Sequence, residues 1–136
     1  MGNQNTYIDV DLSGADDDSI RIATAGVEDF ILSNGHIHMP NSNNSVYIGN
    51  AAGVGSNECG NVAVGGFTLR NVATNGRLNT AVGYSTLDKN TTGKNNTGVG
   101  SYSLANNIVG ERNNGLGTRA GYGSLGGSTG TDNNYI

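Results

Sequence analysis

Five times between residues 45 and 117 a short polar lead runs into an aliphatic residue followed by glycine. The copies are Ser45-Val46-Tyr47-Ile48-Gly49, Asn61-Val62-Ala63-Val64-Gly65, Asn79-Thr80-Ala81-Val82-Gly83, Asn96-Thr97-Gly98-Val99-Gly100 and Asn113-Asn114-Gly115-Leu116-Gly117. The anchor glycines, Gly49, Gly65, Gly83, Gly100 and Gly117, are almost evenly spaced. A sixth copy, Asn133-Asn134-Tyr135-Ile136, follows a slightly longer interval and stops where its glycine would come. Downstream positions keep the same phase. A small residue follows each anchor by three (Ala52, Thr68, Thr86, Ser103, Ala120), and Leu69, Leu87 or Leu104 follows by four in the middle copies. A self-similar period of this length means stacked units that share one core.

Each copy reads as one turn of β-structure. The lead is extended, with Val or Thr alternating with a small residue. Glycine and asparagine supply the left-handed positions that tight turns require. Composition supports this reading and removes others. Gly contributes 23 and Asn 21 of the 136 residues, which argues against a helical bundle, because an interior Gly costs about 1 kcal/mol relative to Ala. One proline and no three-residue glycine period exclude collagen. No apolar run approaches the ~20 residues of a membrane span. Val, Ile, Leu and Phe together make up only about a fifth of the chain, so disorder has to be weighed. The in-phase glycines and the scarcity of Lys, Glu and Pro argue against it. A rung offers about two sizeable apolar side chains, one before the anchor and one four after it. So thin a core points to an obligate oligomer, with a trimer expected, whose partners supply the missing burial.

The chain divides near Pro40. Residues 1–40 carry seven acids and one base and only 4 glycines; residues 41–136 carry four acids, six bases and 19 glycines. In the first region Tyr7 to Leu12 alternates, Ser19 to Thr24 forms a second strand, and Val27 to Leu32 and Gly35 to Met39 make a hairpin across Ser33-Asn34-Gly35. The expectation is an N-terminal β-rich cap or collar over residues 1–40, then a repeat region over 41–136 with about 17 residues per repeat. No basic, apolar, cleavable segment follows Met1, so a signal peptide is not expected.

The run Asn79-Thr80-Ala81-Val82-Gly83-Tyr84-Ser85-Thr86-Leu87, continued by Asn90-Thr91-Thr92-Gly93-Lys94-Asn95-Asn96-Thr97-Gly98-Val99-Gly100, resembles repeats of bacteriophage tail-fibre proteins. More loosely it is similar to the β-roll head repeats of trimeric autotransporter adhesins, which use a shorter, Ala-richer unit. The preceding Arg21 to Gly26 and Phe30 to Gly35 are similar to segments that often lead into such repeats. The resemblance covers roughly residues 20–136. It implies an all-β, intertwined homotrimer with a parallel β-roll or β-helix-like fibre, extracellular, on a virion tail or a cell surface. The implied role is attachment to a target cell through a surface glycan or surface protein. A passive shaft that spaces a binding tip elsewhere is the alternative.

Several residues carry candidate chemistry. Gly35-His36-Ile37-His38 puts two imidazoles on one strand face. Around a three-fold axis they would give six nitrogens, which suits an octahedral transition-metal ion, and the resemblance adds to this because some phage fibres hold such sites. In the other reading Ile37 and Met39 face inward and both histidines are solvated. Asp16-Asp17-Asp18 with Asp9 and Asp11 could hold calcium, but the stretch lacks EF-hand spacing and reads as a solvated acidic loop. Gly126 to Asp132 is one residue out of step with a calcium-binding nonapeptide and reads as a long turn. Gly115-Leu116-Gly117-Thr118-Arg119-Ala120-Gly121 is the repeat itself, not a phosphate loop. Cys59 has no triad partner.

Phe67, Tyr84 and Tyr102 follow successive anchors by one or two residues and could form a column of rings. Beside Arg70, Arg77 and Arg119 such a column suits saccharide stacking; otherwise the rings pack between subunits. The acids of the repeat region (Glu58, Asp88, Glu111, Asp132) are scattered in turns, so a glycosidase, which needs paired carboxylates, is not expected. No basic patch points to nucleic acid, and the threonines do not line up as an ice-binding array would need.

Overall fold

The computed structural model describes residues 7–10, 20–24, 27–33, 36–38, 44–54, 59–73, 75–123 and 130–136, with only the backbone described in the first four segments. The chain forms two compact units, Met1–Ser42 and Asn43–Ile136. All regular structure among the described residues is β, without a helix.

In the first unit, β1 (Tyr7–Val10), β2 (Ile20–Thr24), β3 (Val27–Ser33) and β4 (His36–His38) form one antiparallel sheet in chain order. Ser33 pairs with His36, which closes the β3–β4 hairpin. A bulge between Ile22 and Ala23 shifts the β2–β3 register.

The second unit is a parallel stack. Strands β5 (Val46–Ile48), β6 (Val62–Val64), β7 (Thr80–Val82), β8 (Thr97–Val99), β9 (Asn114–Leu116) and β10 (Asn134–Tyr135) lie in strict sequence order. Val46 pairs with Val62, Val62 with Thr80, Thr80 with Thr97, Thr97 with Asn114 and Asn114 with Asn134, so each sequence copy is one turn laid on the next. The unit is a β-solenoid of about five turns. Strands β5 to β9 are three residues long, so only the middle residue of each points inward, and Tyr135 of the two-residue β10 stands in the same register.

Those middle residues form a column, Tyr47, Ala63, Ala81, Gly98, Gly115 and Tyr135, and against it stands a second column, Gly53, Leu69, Leu87, Leu104 and Gly121. The two match in volume. Leucine stands opposite Ala or Gly in the middle rungs. In the first rung tyrosine stands opposite glycine: a Cβ on Gly53 would lie 2.7 Å from Cγ of Tyr47. A Cβ on Gly121 would lie 2.7 Å from Cδ2 of Tyr135. The tyrosines therefore plug both ends of a core that is one leucine wide.

The residue before each anchor glycine does not join this core. Ile48 and Leu116 are 51% and 59% exposed, and Val64, Val82 and Val99 are half-buried on the outward face of the sheet. The expectation of two core side chains per rung is thus half right, because the three-residue strand turns its third side chain outward with its first. Left-handed backbone is also not confined to glycine. Leu69, Leu87 and Leu104 have φ of 46°, 51° and 49°. The left-handed conformation costs about 1–2 kcal/mol, and full burial of leucine returns about 1.5–3 kcal/mol. The corner also keeps its hydrogen bonds: Leu87 N donates to Ser103 O at 3.0 Å and Tyr102 N to Tyr84 O at 2.8 Å. At the anchor, glycine is required by space as well as by φ. Gly83 (φ 135°) would place a Cβ 2.8 Å from the carbonyl of Gly100 in the next rung.

The other wall of the core is polar. Asn61, Asn79, Asn96, Asn113 and Asn133 stack one per rung, the first four essentially without solvent contact. Asn96 is typical. Its Oδ1 accepts the backbone N–H of Asn113 at 2.9 Å, and its Nδ2 donates to Gly110 O at 2.8 Å and to Asn79 Oδ1 at 3.1 Å. Asn79 repeats the pattern with Gly93 O at 2.9 Å, and Asn113 with Gly130 O at 2.7 Å. Each amide thus satisfies a turn carbonyl in its own rung and a backbone N–H in the next, which offsets the cost of burying so polar a column. A second short column, Asn90 and Asn107, donates to the same Gly93 and Gly110 carbonyls at 3.1 Å.

Candidate functional site

The stack fixes side chains at rung spacing, and on one corner it places aromatic rings. Phe67, Tyr84, Tyr102 and Tyr122 form a continuous column with centroid steps of 5.6, 5.6 and 6.1 Å and interplanar angles of 87°, 71° and 87°. Edge-to-face contacts of this kind are favourable by about 0.5–1.5 kcal/mol beyond their burial. The steps slightly exceed the ~4.8 Å between strands, so successive rings are offset sideways as well as raised by one rung. Tyr84 is 47% and Tyr122 is 39% exposed, while Phe67 and Tyr102 are half-buried. Of the expected residues, Phe67, Tyr84 and Tyr102 are brought together. Tyr122 is an addition that the spacing of the others conceals: it follows its anchor, Gly117, by five positions instead of one or two.

Two cations border the column. The Arg70 guanidinium lies 5.1 Å from the Phe67 centroid and that of Arg119 lies 5.8 Å from the Tyr122 centroid, both within cation–π range. Arg70 is also held by Asp88 of the next rung through paired bonds of 3.0 and 3.1 Å. Arg77 lies over no ring among the described residues. The remaining charges tie turns together between rungs. Lys94 meets Glu111 at 3.3 Å, and Arg112 meets Asp132 at 2.6 and 3.0 Å. The hydrogen bond from Arg112 holds the Asp132 carboxyl below the usual carboxylate range, and its reciprocal raises Arg112. Asp88, Glu111 and Asp132 are each engaged by a cation of the same or a neighbouring turn, an arrangement suited to pinning rungs.

The outward sheet face is different in kind. Its two columns are Val46, Val62, Thr80, Thr97, Asn114 and Asn134, and Ile48, Val64, Val82, Val99 and Leu116. Neither contains a charged residue.

His36 and His38 lie on β4, paired with Ser33 and Ile31, two residues apart and hence on one face of the strand; their imidazoles are outside the described residues. Asp9 lies on β1 opposite Arg21, whereas Asp11, Asp16, Asp17 and Asp18 are outside the described residues. Residues 124–129 are likewise outside, and Gly130 serves the asparagine column. Cys59 is exposed. Among the described residues no group of three metal-ligating side chains occurs and no helix is long and apolar enough to cross a membrane.

No known family model matches the chain, and no curated protein or solved structure matches it.

Proposed function

We propose that the chain is a non-enzymatic fibre domain, of a phage tail fibre or a surface adhesin, that works outside the cell by attaching to a target cell surface. The observation that carries this reading is the ring column Phe67, Tyr84, Tyr102 and Tyr122, presented at rung spacing on the corner of a rigid stack with alternate rings open to solvent. A stack serving only as a spacer needs no tyrosine at 47% exposure, where a polar side chain costs nothing. The regular asparagine ladder favours the second reading, a passive shaft, since a shaft needs only length and stiffness.

The functional form in this proposal is a homotrimer. Its support is the charge-free outward sheet face, because depletion of charge is the compositional mark of an interface core. The unmatched face adds to a monomer core only one leucine wide. In the trimer His36 and His38 of three chains would offer a transition-metal ion six nitrogens; their support is their shared face on β4. Metal analysis of the purified protein, with melting before and after chelation, tests that site, and an unchanged melt without bound metal would overturn it.

Attachment is tested by labelling the protein and measuring binding to whole cells of a bacterial panel. The Tyr84→Ala, Tyr102→Ala double variant is expected to lose binding while sedimenting as the parent does. Undiminished binding would remove the rings from the account, and loss of assembly would make them structural.

A further inference from the structure

Resting on the attachment reading, the structure assigns the ring column to a linear, extended glycan lying along the stack. The argument is one of periodicity. Rings in single file, fixed by a backbone ladder, fit a ligand that is itself periodic and do not fit the irregular relief of a folded protein. The exposed members are Tyr84 and Tyr122, with the half-buried Tyr102 between them. They are two rungs apart, about 10 Å along the stack at ~4.8 Å per rung, with centroid steps of 5.6 and 6.1 Å through Tyr102. In an extended β1→4-linked chain successive sugars turn opposite faces to a surface, so that every second sugar offers the same C–H face. Exposed rings at every second rung match that alternation, and two such sugars span a closely similar distance.

The surroundings fit the same chemistry. Tyrosine combines an apolar face with a hydroxyl that can bond a sugar hydroxyl. At the end of the column Arg119 lies over Tyr122 and has no carboxylate partner among the described ion pairs, leaving its N–H donors for ring or hydroxyl oxygens of the polymer. Phe67, at the other end, is half-buried beneath an Arg70 that Asp88 holds in place, whereas Tyr122 stays exposed beside an Arg119 without such a tether among the described residues. The polymer therefore runs over Tyr84, Tyr102 and Tyr122 rather than over Phe67.

The test is titration of the whole chain, followed by tyrosine fluorescence and calorimetry, with β1→4-linked hexamers of glucose and of N-acetylglucosamine. The corresponding dimers and an α1→4-linked glucose hexamer, which coils, are the comparisons. One β-linked hexamer is expected to bind about tenfold or more tighter than its dimer, because it reaches both exposed rings, and tighter than the α-linked hexamer. Tyr84→Ala and Tyr122→Ala should each weaken it about five- to tenfold, Tyr84→Phe much less, and Phe67→Ala little if the fold is kept. No binding by either β-linked hexamer, equal binding of the α-linked one, or indifference to Tyr84 and Tyr122 would overturn the inference. Cell attachment that persists without hexamer binding would sink the glycan alone, and loss of both would sink the attachment reading with it.

Discussion

Replacing Asn96 by aspartate exchanges one NH2 for an oxygen at a site with no solvent contact. The acceptor half of the side chain survives, so Asn113 N–H keeps its partner at 2.9 Å. The donor half does not: an ionised oxygen would face Gly110 O and Asn79 Oδ1, which now receive bonds of 2.8 and 3.1 Å. Desolvation and two facing oxygens both favour the neutral acid, so the folded pKa rises above the ordinary carboxylate value. A rise of about two to three units corresponds to about 3–4 kcal/mol. Its sign follows from linkage. Below the unfolded pKa both states are protonated and the penalty vanishes; it grows with pH above that value and is complete above the raised folded one. The protonated acid can moreover donate its O–H to Gly110 O as the amide does. Urea unfolding of the parent and of Asn96→Asp, at one protein concentration and at about pH 3.5 and pH 7, should show a small difference in acid and one of about 3–4 kcal/mol at neutrality. Asn95→Asp, one residue earlier and exposed, is the control and should cost little at either pH. An equal cost at both pH values, or an Asn96 variant no worse than the Asn95 one, would refute the buried ladder.

Val82→Lys puts a charge in the middle of the outward sheet face, and sedimentation should show weaker self-association with the β-rich circular dichroism retained; a parent that is monomeric at all concentrations would contradict the trimer. The Arg112–Asp132 pair contributes above the usual carboxylate range and is lost as pH falls through the depressed pKa of Asp132. The last rung should therefore loosen first in acid, seen as amide protection near Asn133 and Asn134 that falls relative to Ala81 as pH drops below the usual carboxylate range; a ratio of protection that does not change with pH would show that the pair pins nothing.

Much of the stack is legible in the sequence because its period is written in glycine. An anchor that would strike the Gly100 carbonyl with any Cβ admits no other residue, so Gly83 marks its rung unambiguously. The strands follow, since Thr80-Ala81-Val82 sits at the same phase as Val62-Ala63-Val64. What lies between the anchors is less legible. Asparagine before each strand reads as turn chemistry, and nothing local distinguishes the buried Asn96 from the exposed Asn95 beside it; only the neighbouring rungs, which supply Asn79 Oδ1 and Asn113 N–H, make the difference. The leucines are visible as apolar positions, but their left-handed φ runs against local preference and is imposed by the stack. Valine before the anchor reads as core because it is apolar, yet a three-residue strand has room for one inward side chain, and Ala81 occupies it. Three of the four ring positions follow from anchor spacing. Tyr122 does not, because its rung has Gly121 where the others have leucine, and its ring reaches the column from a later position.

The central claim is that each rung is laid on the last by a buried asparagine amide, which sets the spacing of everything on the surface. Proton exchange of the asparagine side-chain NH2 groups, followed by NMR in heavy water, tests it most directly. The account predicts that the NH2 protons of Asn79, Asn96 and Asn113 persist long after those of Asn95 have gone. Loss of all of them together, at the rate of an exposed amide, would contradict it.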